Sequence, residues 1–205
     1  MDFNKNDNYR QKHEACSKDR ANDSCRDMKW QVLDSRYVER RPWLTVRCDK
    51  VKLPTGAVND EYYVLEYPTW VNVIAITEDG RYIMERQYRH GIGMTCYEIV
   101  AGVCEEGEQP LESAKRELYE ETGYTGGDWR EIMAVSQNTS TANNICHCFV
   151  ATGVVKTLGQ HLDRTEDIEV HLMDESDVLG LLESGEIKQS LMAAPLYKYF
   201  FHKAK

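Results

Sequence analysis

Gly102-Val-Cys-Glu-Glu-Gly-Glu108-Gln-Pro-Leu-Glu-Ser-Ala-Lys-Arg116-Glu117-Leu-Tyr-Glu120-Glu121-Thr-Gly123-Tyr124 is the stretch from which the rest of the chain can be read. Pro110 suits the first turn of a helix, and Gly123 suits the position just past its end. Leu111, Ala114 and Leu118 are three and four residues apart and form a buried stripe. Glu117, Glu120 and Glu121 fall together on one flank, where like charges destabilise an isolated helix by some tenths of a kcal/mol per pair, so roughly the reverse of a favourable pair. Arg116 offsets part of this by reaching Glu120, four residues on. It cannot neutralise the whole cluster. Hard oxygen ligands at helical spacing point to a magnesium-type cation and to phosphate chemistry.

Around this helix the pattern is strand-like. On its N-terminal side, Trp30 to Tyr67 contains the alternating run Leu44–Cys48, the turn signal Pro54-Thr55-Gly56 and the run Tyr62–Leu65. This predicts a small antiparallel sheet. Val71–Ile76 and Tyr82–Glu85 flank Glu78-Asp79-Gly80, a hairpin signature. A strand over Tyr97–Val100 runs directly into Gly102. After the helix, strands are expected near Ile132–Val135, Ile145–Val150 and Ile168–Met173, then helices over Glu175–Glu183 and about Gln189–His202. Strands and helices do not alternate regularly, so an α+β fold with a mixed sheet between helices is expected.

Composition bounds the function. The chain has 205 residues, 41% of them hydrophobic, and a net charge of −9. That charge argues against a nucleic-acid backbone as the main partner, although a metal can invert the local field for a small phosphorylated substrate. No apolar run approaches the roughly 18 residues of a membrane helix, and the N-terminus lacks the apolar core of a signal peptide. Seven irregularly spaced cysteines read as reduced thiols in a cytoplasmic protein. Cys146-His147-Cys148 sits in an alternating run with no second ligand pair, so its role reads as structural. Residues 1–28 read as a polar tail or a short docking helix.

The helix and the loop before it resemble the signature of the Nudix hydrolase family. Gly102, Glu108, Arg116, Glu117, Leu118, Glu120, Glu121 and Gly123 all stand at that signature's spacings, while Tyr124 occupies a position that is usually aliphatic. Such a match arises by chance with odds on the order of 10⁻⁵ or less per chain. The resemblance implies a Nudix fold, a mixed β-sheet sandwiched between helices in an α/β/α arrangement. It implies a loop–helix–loop site for Mg²⁺ or Mn²⁺ and hydrolysis of a nucleoside diphosphate linked to another group. Glu117 and Glu121 would be metal ligands, Glu120 would assist, and the Ala101 carbonyl would complete the shell. Glu108 and Arg116 would hold loop and helix together, with Gly102 and Gly123 closing the motif.

The resemblance runs from about Trp30 to Phe201. Gln87-Tyr88-Arg89 and Glu98-Ile99-Val100-Ala101-Gly102 look like the ADP-ribose and nucleotide-sugar pyrophosphatase branch. It implies that Arg89, with Gln87 beside it, contacts the substrate. An arginine suits phosphate because its planar fork is always charged and bidentate. Glu166, before the strand at Ile168, would join as a metal ligand or as general base when its loop closes. The base would be Glu166 or a signature glutamate, Glu120 or Glu121. The resemblance further implies that residues 29–68 form a dimerisation subdomain, that residues 69–205 form the hydrolase domain, and that the protein is a homodimer. Trp30, Tyr37 and Trp43 are aromatic candidates for stacking on a base or for packing in the core or at the interface, packing being the preferred reading. Ser136–Asn144 replaces the Ser-Pro-Gly-type loop usual in ADP-ribose-specific members, which leaves the sugar and base open. A housecleaning nucleoside triphosphate pyrophosphohydrolase is the rival enzyme, opposed by the strand-rich segment before Tyr67. A silent nucleotide-sugar sensor is the non-enzymatic rival, opposed by the intact set of glutamates.

Overall fold

The computed structural model describes residues 26–204, so the tail expected over residues 1–28 lies, up to residue 25, outside the described residues. The chain divides between Tyr67 and Pro68 into two compact units.

The first unit is a three-stranded antiparallel sheet of β1 (Gln31–Arg41), β2 (Leu44–Lys52) and β3 (Val58–Glu66), in that order. The expected turn at Pro54-Thr55-Gly56 joins β2 to β3, with the Gly56 N–H donating to the Leu53 carbonyl at 2.9 Å. β2 and β3 are longer than the runs Leu44–Cys48 and Tyr62–Leu65 read from the sequence, with charged and polar residues extending the ladders at mostly exposed positions. Cys48, Val51 and Val64 are buried, and so is Asp49. A buried carboxylate needs partners. Asp49 has Ser35 Oγ at 2.6 Å and Arg47 Nε at 2.9 Å, and Arg47 also pairs with Glu66. Trp30 meets Tyr62 edge-on at 5.5 Å. Trp43 is 83% exposed and so lies outside the core of this unit.

The second unit contains β4 (Trp70–Thr77), β5 (Tyr82–Arg89), β6 (Met94–Glu98), β7 (Val100–Val103), α1 (Pro110–Thr122), β8 (Tyr124–Val135), β9 (Cys146–Lys156), β10 (Glu169–Met173), α2 (Glu175–Glu183) and α3 (Ser190–Lys203). The strands form one seven-stranded sheet with the path β10-β5-β4-β9-β8, while β6 pairs with β5 and β7 with β4. It is a mixed sheet: β4 and β9 are parallel and the other pairings are antiparallel.

Strand alternation sends side chains to two cores. Val71, Val73, Ala75 and Ile83 pack with Ala114 and Leu118 of α1 on one face. Ile74, Ile76, Tyr82 and Met84 pack with Val178 and Leu182 of α2 and with Met192 and Leu196 of α3 on the other. Because both faces are covered, β4 is apolar at consecutive positions on either side of Asn72 rather than alternating. Within β4, Asn72 is fully buried, and its amide donates to the Leu191 carbonyl at 2.7 Å. That carbonyl lies four residues before Pro195, which has no N–H to give it. A strand asparagine thus completes the hydrogen bonding of a helix that contains proline.

Two strand boundaries differ from expectation. The strand expected over Tyr97–Val100 is two strands, β6 and β7, that separate at Ile99 to pair with different partners, β5 and β4. The strand expected near Ile132 begins at Tyr124, directly after Gly123. Gly126-Gly127-Asp128 has turn composition, but the β8–β9 ladder continues on both sides of it, through Gly126–Val154 and Asp128–Thr152. Cys146 and Cys148 are buried free thiols on β9, and the intervening His147 contacts Glu131 at 2.8 Å.

Candidate active site

Helix α1 is fixed at both ends. Pro110 opens it, and Gly123 closes it with φ 75°, its N–H donating to the Tyr119 carbonyl at 2.8 Å. A Cβ at Gly123 would overlap the Leu158 carbonyl, so glycine is needed for clearance as well as for conformation. Ala114 and Leu118 bury one stripe against the sheet. The acidic flank is thereby turned toward β7, β5 and the loop before the helix.

Arg116 is the hub of the outer part of the site. Its Nε and Nη2 donate to Glu108 at 3.2 and 3.1 Å, and Nη2 also donates to the Val103 carbonyl at 2.9 Å. Nη1 donates to Glu117 at 2.9 Å and to Glu120 at 3.0 Å. Glu108 in turn accepts from Ser113 Oγ at 2.5 Å and from the Glu105 N–H at 3.0 Å. The Arg116 pair chiefly, with these two donors, holds the Glu108 carboxyl down at about 2. Loop, β7 and helix are tied together through one guanidinium.

The inner part is different. Glu121 is buried and accepts the Ala101 N–H at 3.3 Å. Burial first, then the charges of Glu85, Glu117 and Glu166, pushes its carboxyl well above the usual range. Glu117 is also pushed up by burial, against the pull of Arg116, and it accepts the Val103 N–H at 3.2 Å. A Cβ on Gly102 would overlap the Glu117 carboxyl, so the helix can lie this close to β7 only because position 102 is glycine.

Two further carboxylates stand here that the sequence reading does not single out as site residues. Glu85 on β5 is 1% exposed, and Glu98 on β6, its cross-strand neighbour, is 2% exposed. Burial chiefly pushes the Glu85 carboxyl upward, and Glu121 lies close enough to act on it. Glu98 holds Arg89 at two points, accepting from Nε at 2.8 Å and from Nη2. The available signal was a glutamate ending the apolar run Tyr82-Ile83-Met84, in a strand whose both faces are covered.

The other sequence-derived residues fall as follows. Arg89 and Gln87 share a face of β5 with Glu85 by strand alternation. Arg89 is engaged by Glu98 rather than by a surface partner. Glu166 lies in the loop before β10, close enough to raise Glu121 electrostatically, with its carboxylate accepting the Asp163 N–H at 2.9 Å. In the polar loop, Asn144 is buried and donates to the Pro68 carbonyl at 3.0 Å, while Asn138 accepts from the Ser140 hydroxyl at 2.6 Å.

Do these residues fit a cation? Among the described residues no three His, Cys, Asp or Glu side chains are already drawn together as a metal site. Arg116 holds Glu117 and Glu120 to one side, and Glu121 is turned to Glu85. Yet the donor set is hard oxygen, Glu85 Oε1 is buried without a hydrogen-bond partner, and acidic groups outnumber basic ones in the inner part. A divalent cation suits that balance.

Comparison with known proteins places this geometry. Residues 67–194 match the NUDIX domain, and residues 30–65 match the nucleoside diphosphate sugar hydrolase N-terminal domain. An ADP-ribose pyrophosphatase of Bacillus subtilis (strain 168) is 37% identical over 140 residues, covering 68% of this chain and 75% of that protein. A methanol dehydrogenase activator of Bacillus methanolicus is 36% identical over 161 residues, covering 78% and 83%. A crystal structure of an ADP compounds hydrolase shares the fold, with a TM-score of 0.74 at 21% identity, over 85% of this chain and 95% of that one.

Proposed function

The chain belongs to the NUDIX family and is a Nudix hydrolase, and from that premise we propose that it cleaves the diphosphate bond of ADP-ribose or a related nucleotide sugar. The products are a nucleoside monophosphate and a sugar phosphate. One observation carries the reading: Glu117, Glu120 and Glu121 stand on one helical flank, with Glu117 packed against the Gly102 backbone and Glu121 accepting the Ala101 N–H. The named activity of the Bacillus subtilis relative supports the choice of substrate class.

Glu117, Glu120, Glu121, the Ala101 carbonyl and Glu166 would hold Mg²⁺ or Mn²⁺. When bound, such a cation offsets the charge of the diphosphate and lowers the pKa of a water. The residues of the chain do the rest. Arg89, its guanidinium plane fixed by Glu98, offers its remaining N–H groups to a phosphate oxygen. Gln87 lies on the same strand face and adds a polar contact. Glu166, once released from the Asp163 N–H by movement of its loop, accepts the proton of the attacking water. The water oxygen bonds to one phosphorus, and the bridging P–O bond breaks.

Residues 29–68 serve in this reading as the dimerisation subdomain of a homodimer, whose mass light scattering measures directly. Five buried free thiols among the described residues suit the reducing cytoplasm. No described helix is long and apolar enough to cross a membrane.

The test is a panel of ADP-ribose, ADP-glucose, GDP-mannose, UDP-glucose, NADH and nucleoside triphosphates, with Mg²⁺ or Mn²⁺ and with products identified. The expected result is a nucleoside monophosphate and a sugar phosphate, lost on adding a chelator. Turnover confined to triphosphates, with release of pyrophosphate, would replace this reading by that of a housecleaning enzyme.

A further inference from the structure

Glu85 is not part of the signature, yet it is more deeply buried than any of the signature's glutamates. It comes from strand β5, and alternation places it on the face shared with Ile83, which packs in the core beneath α1. Its cross-strand neighbours are Glu98 on β6 and Val170 on β10. It is 1% exposed, and the Glu121 carboxyl lies close to it. Its Oε1 is the one carboxylate oxygen among the described buried side-chain atoms that lacks a hydrogen-bond partner.

A buried carboxylate oxygen is kept in a fold when it is paired, hydrogen-bonded or bound to a cation. Around Glu85 the first two options are used elsewhere. The charged groups that act on it include Glu98, Glu117, Glu121 and Arg89. Three are acidic, and Arg89 already gives Nε and Nη2 to Glu98. Glutamine at this position would keep the volume and could donate to Glu121 without leaving a charge-bearing oxygen unmatched. What glutamine could not supply is a second hard anionic oxygen facing the carboxylates of α1.

We infer that Glu85 is an additional ligand of the divalent cation at this site, offering Oε1 from the sheet opposite the ligands that α1 supplies. The inference rests on the proposed metal-dependent reading and deepens it. With Glu85, β5 joins α1, β7 and the loop before β10 in holding the cation, so that its position depends on the packing of α1 against the sheet. Glu85 thereby couples the metal to the sheet that carries Gln87 and Arg89, the residues facing substrate.

The experiment uses the chelator-treated full chain, titrated with Mn²⁺ while free Mn²⁺ is followed by electron paramagnetic resonance. Thermal unfolding is recorded with and without Mn²⁺. Glu85→Gln and Glu85→Leu should each bind Mn²⁺ at least about tenfold more weakly than the unmodified chain, the lower end of what loss of a metal's supporting group costs. Both should lose most of the Mn²⁺-induced rise in Tm, and both should match or exceed the unmodified Tm in chelator, because the unmatched oxygen is gone. Mn²⁺ affinity unchanged in both variants, with affinity lost in Glu121→Gln, would overturn the role of Glu85 and leave the metal-dependent reading standing. Absence of saturable Mn²⁺ binding in the unmodified chain would remove both.

Discussion

The carboxylates around Arg116 and those around Glu121 are neighbours on one helix with opposite electrostatics. Glu108, Glu117 and Glu120 meet a guanidinium that gives every one of them a hydrogen bond. Glu121, Glu85 and Glu117 crowd where burial is deeper and positive charge is short. A closed network of this kind fixes geometry, whereas an open one leaves chemistry to be done. Glu117 belongs to both, because Arg116 holds it on one side and the Gly102–Val103 backbone on the other. The sharpest way to break the contrast is Glu121→Gln. Removing that charge should lower kcat by roughly 10³-fold, since metal stabilisation of the transition state is worth several kcal/mol, and circular dichroism should be unchanged. A comparable loss from Glu108→Gln would mean that the two regions are not functionally distinct.

Gly102→Ala tests the seam between them. Its Cβ would overlap the Glu117 carboxyl, so either the side chain or α1 must move. A displacement of that order should cost about 10²-fold in kcat/KM and about 1–3 kcal/mol of stability from overpacking. Arg116→Gln tests the closed network itself. It leaves Glu108, Glu117 and the Val103 carbonyl without their shared donor, and it should lower stability by about 2 kcal/mol, the range of hydrogen bonds to charged groups. Urea denaturation measures both losses. An Arg116→Gln variant as stable as the original, but inactive, would move that arginine out of the scaffold and into the chemistry.

The two regions also differed in how far they could be read in advance. The outer network lies within a short span, so its members are legible from helical spacing: Arg116 to Glu120 is one turn, and the structure has that pair at 3.0 Å. The helix ends were legible for the same local reason, through Pro110 and Gly123. The inner network is assembled across the sheet. Glu85 meets Glu98 by β5–β6 register and meets Glu121 by packing of α1 on β5, and neither register nor packing is visible in spacing along the chain. Ile99 splits one expected strand into two for a similar reason, since the choice between β5 and β4 as partner is tertiary. The Asn72–Leu191 bond, 119 residues apart, was out of reach altogether.

The smallest expected effect separates charge from hydrogen bonding within the closed network. Glu108 has its carboxyl lowered to about 2 from an ordinary 4.5, first by Arg116 and also by Ser113 and the Glu105 N–H. Between those values the unfolded chain binds a proton that the folded chain refuses, so folding stability rises with pH across that window. The contribution is fully present above about pH 4.5 and is lost as pH falls toward 2. In Glu108→Gln the carboxamide oxygen can still accept from Ser113 Oγ, so the variant removes the charge and keeps an acceptor. It should be less stable by about 1 kcal/mol near neutral pH, a value kept modest because the pair is partly solvated. That gap should close as denaturation is repeated at successively lower pH. The gap belongs to Glu108 alone, because every other carboxylate titrates in both proteins. A gap that stays constant with pH would show that Glu108 holds the loop by shape and hydrogen bonding rather than by its charge on Arg116.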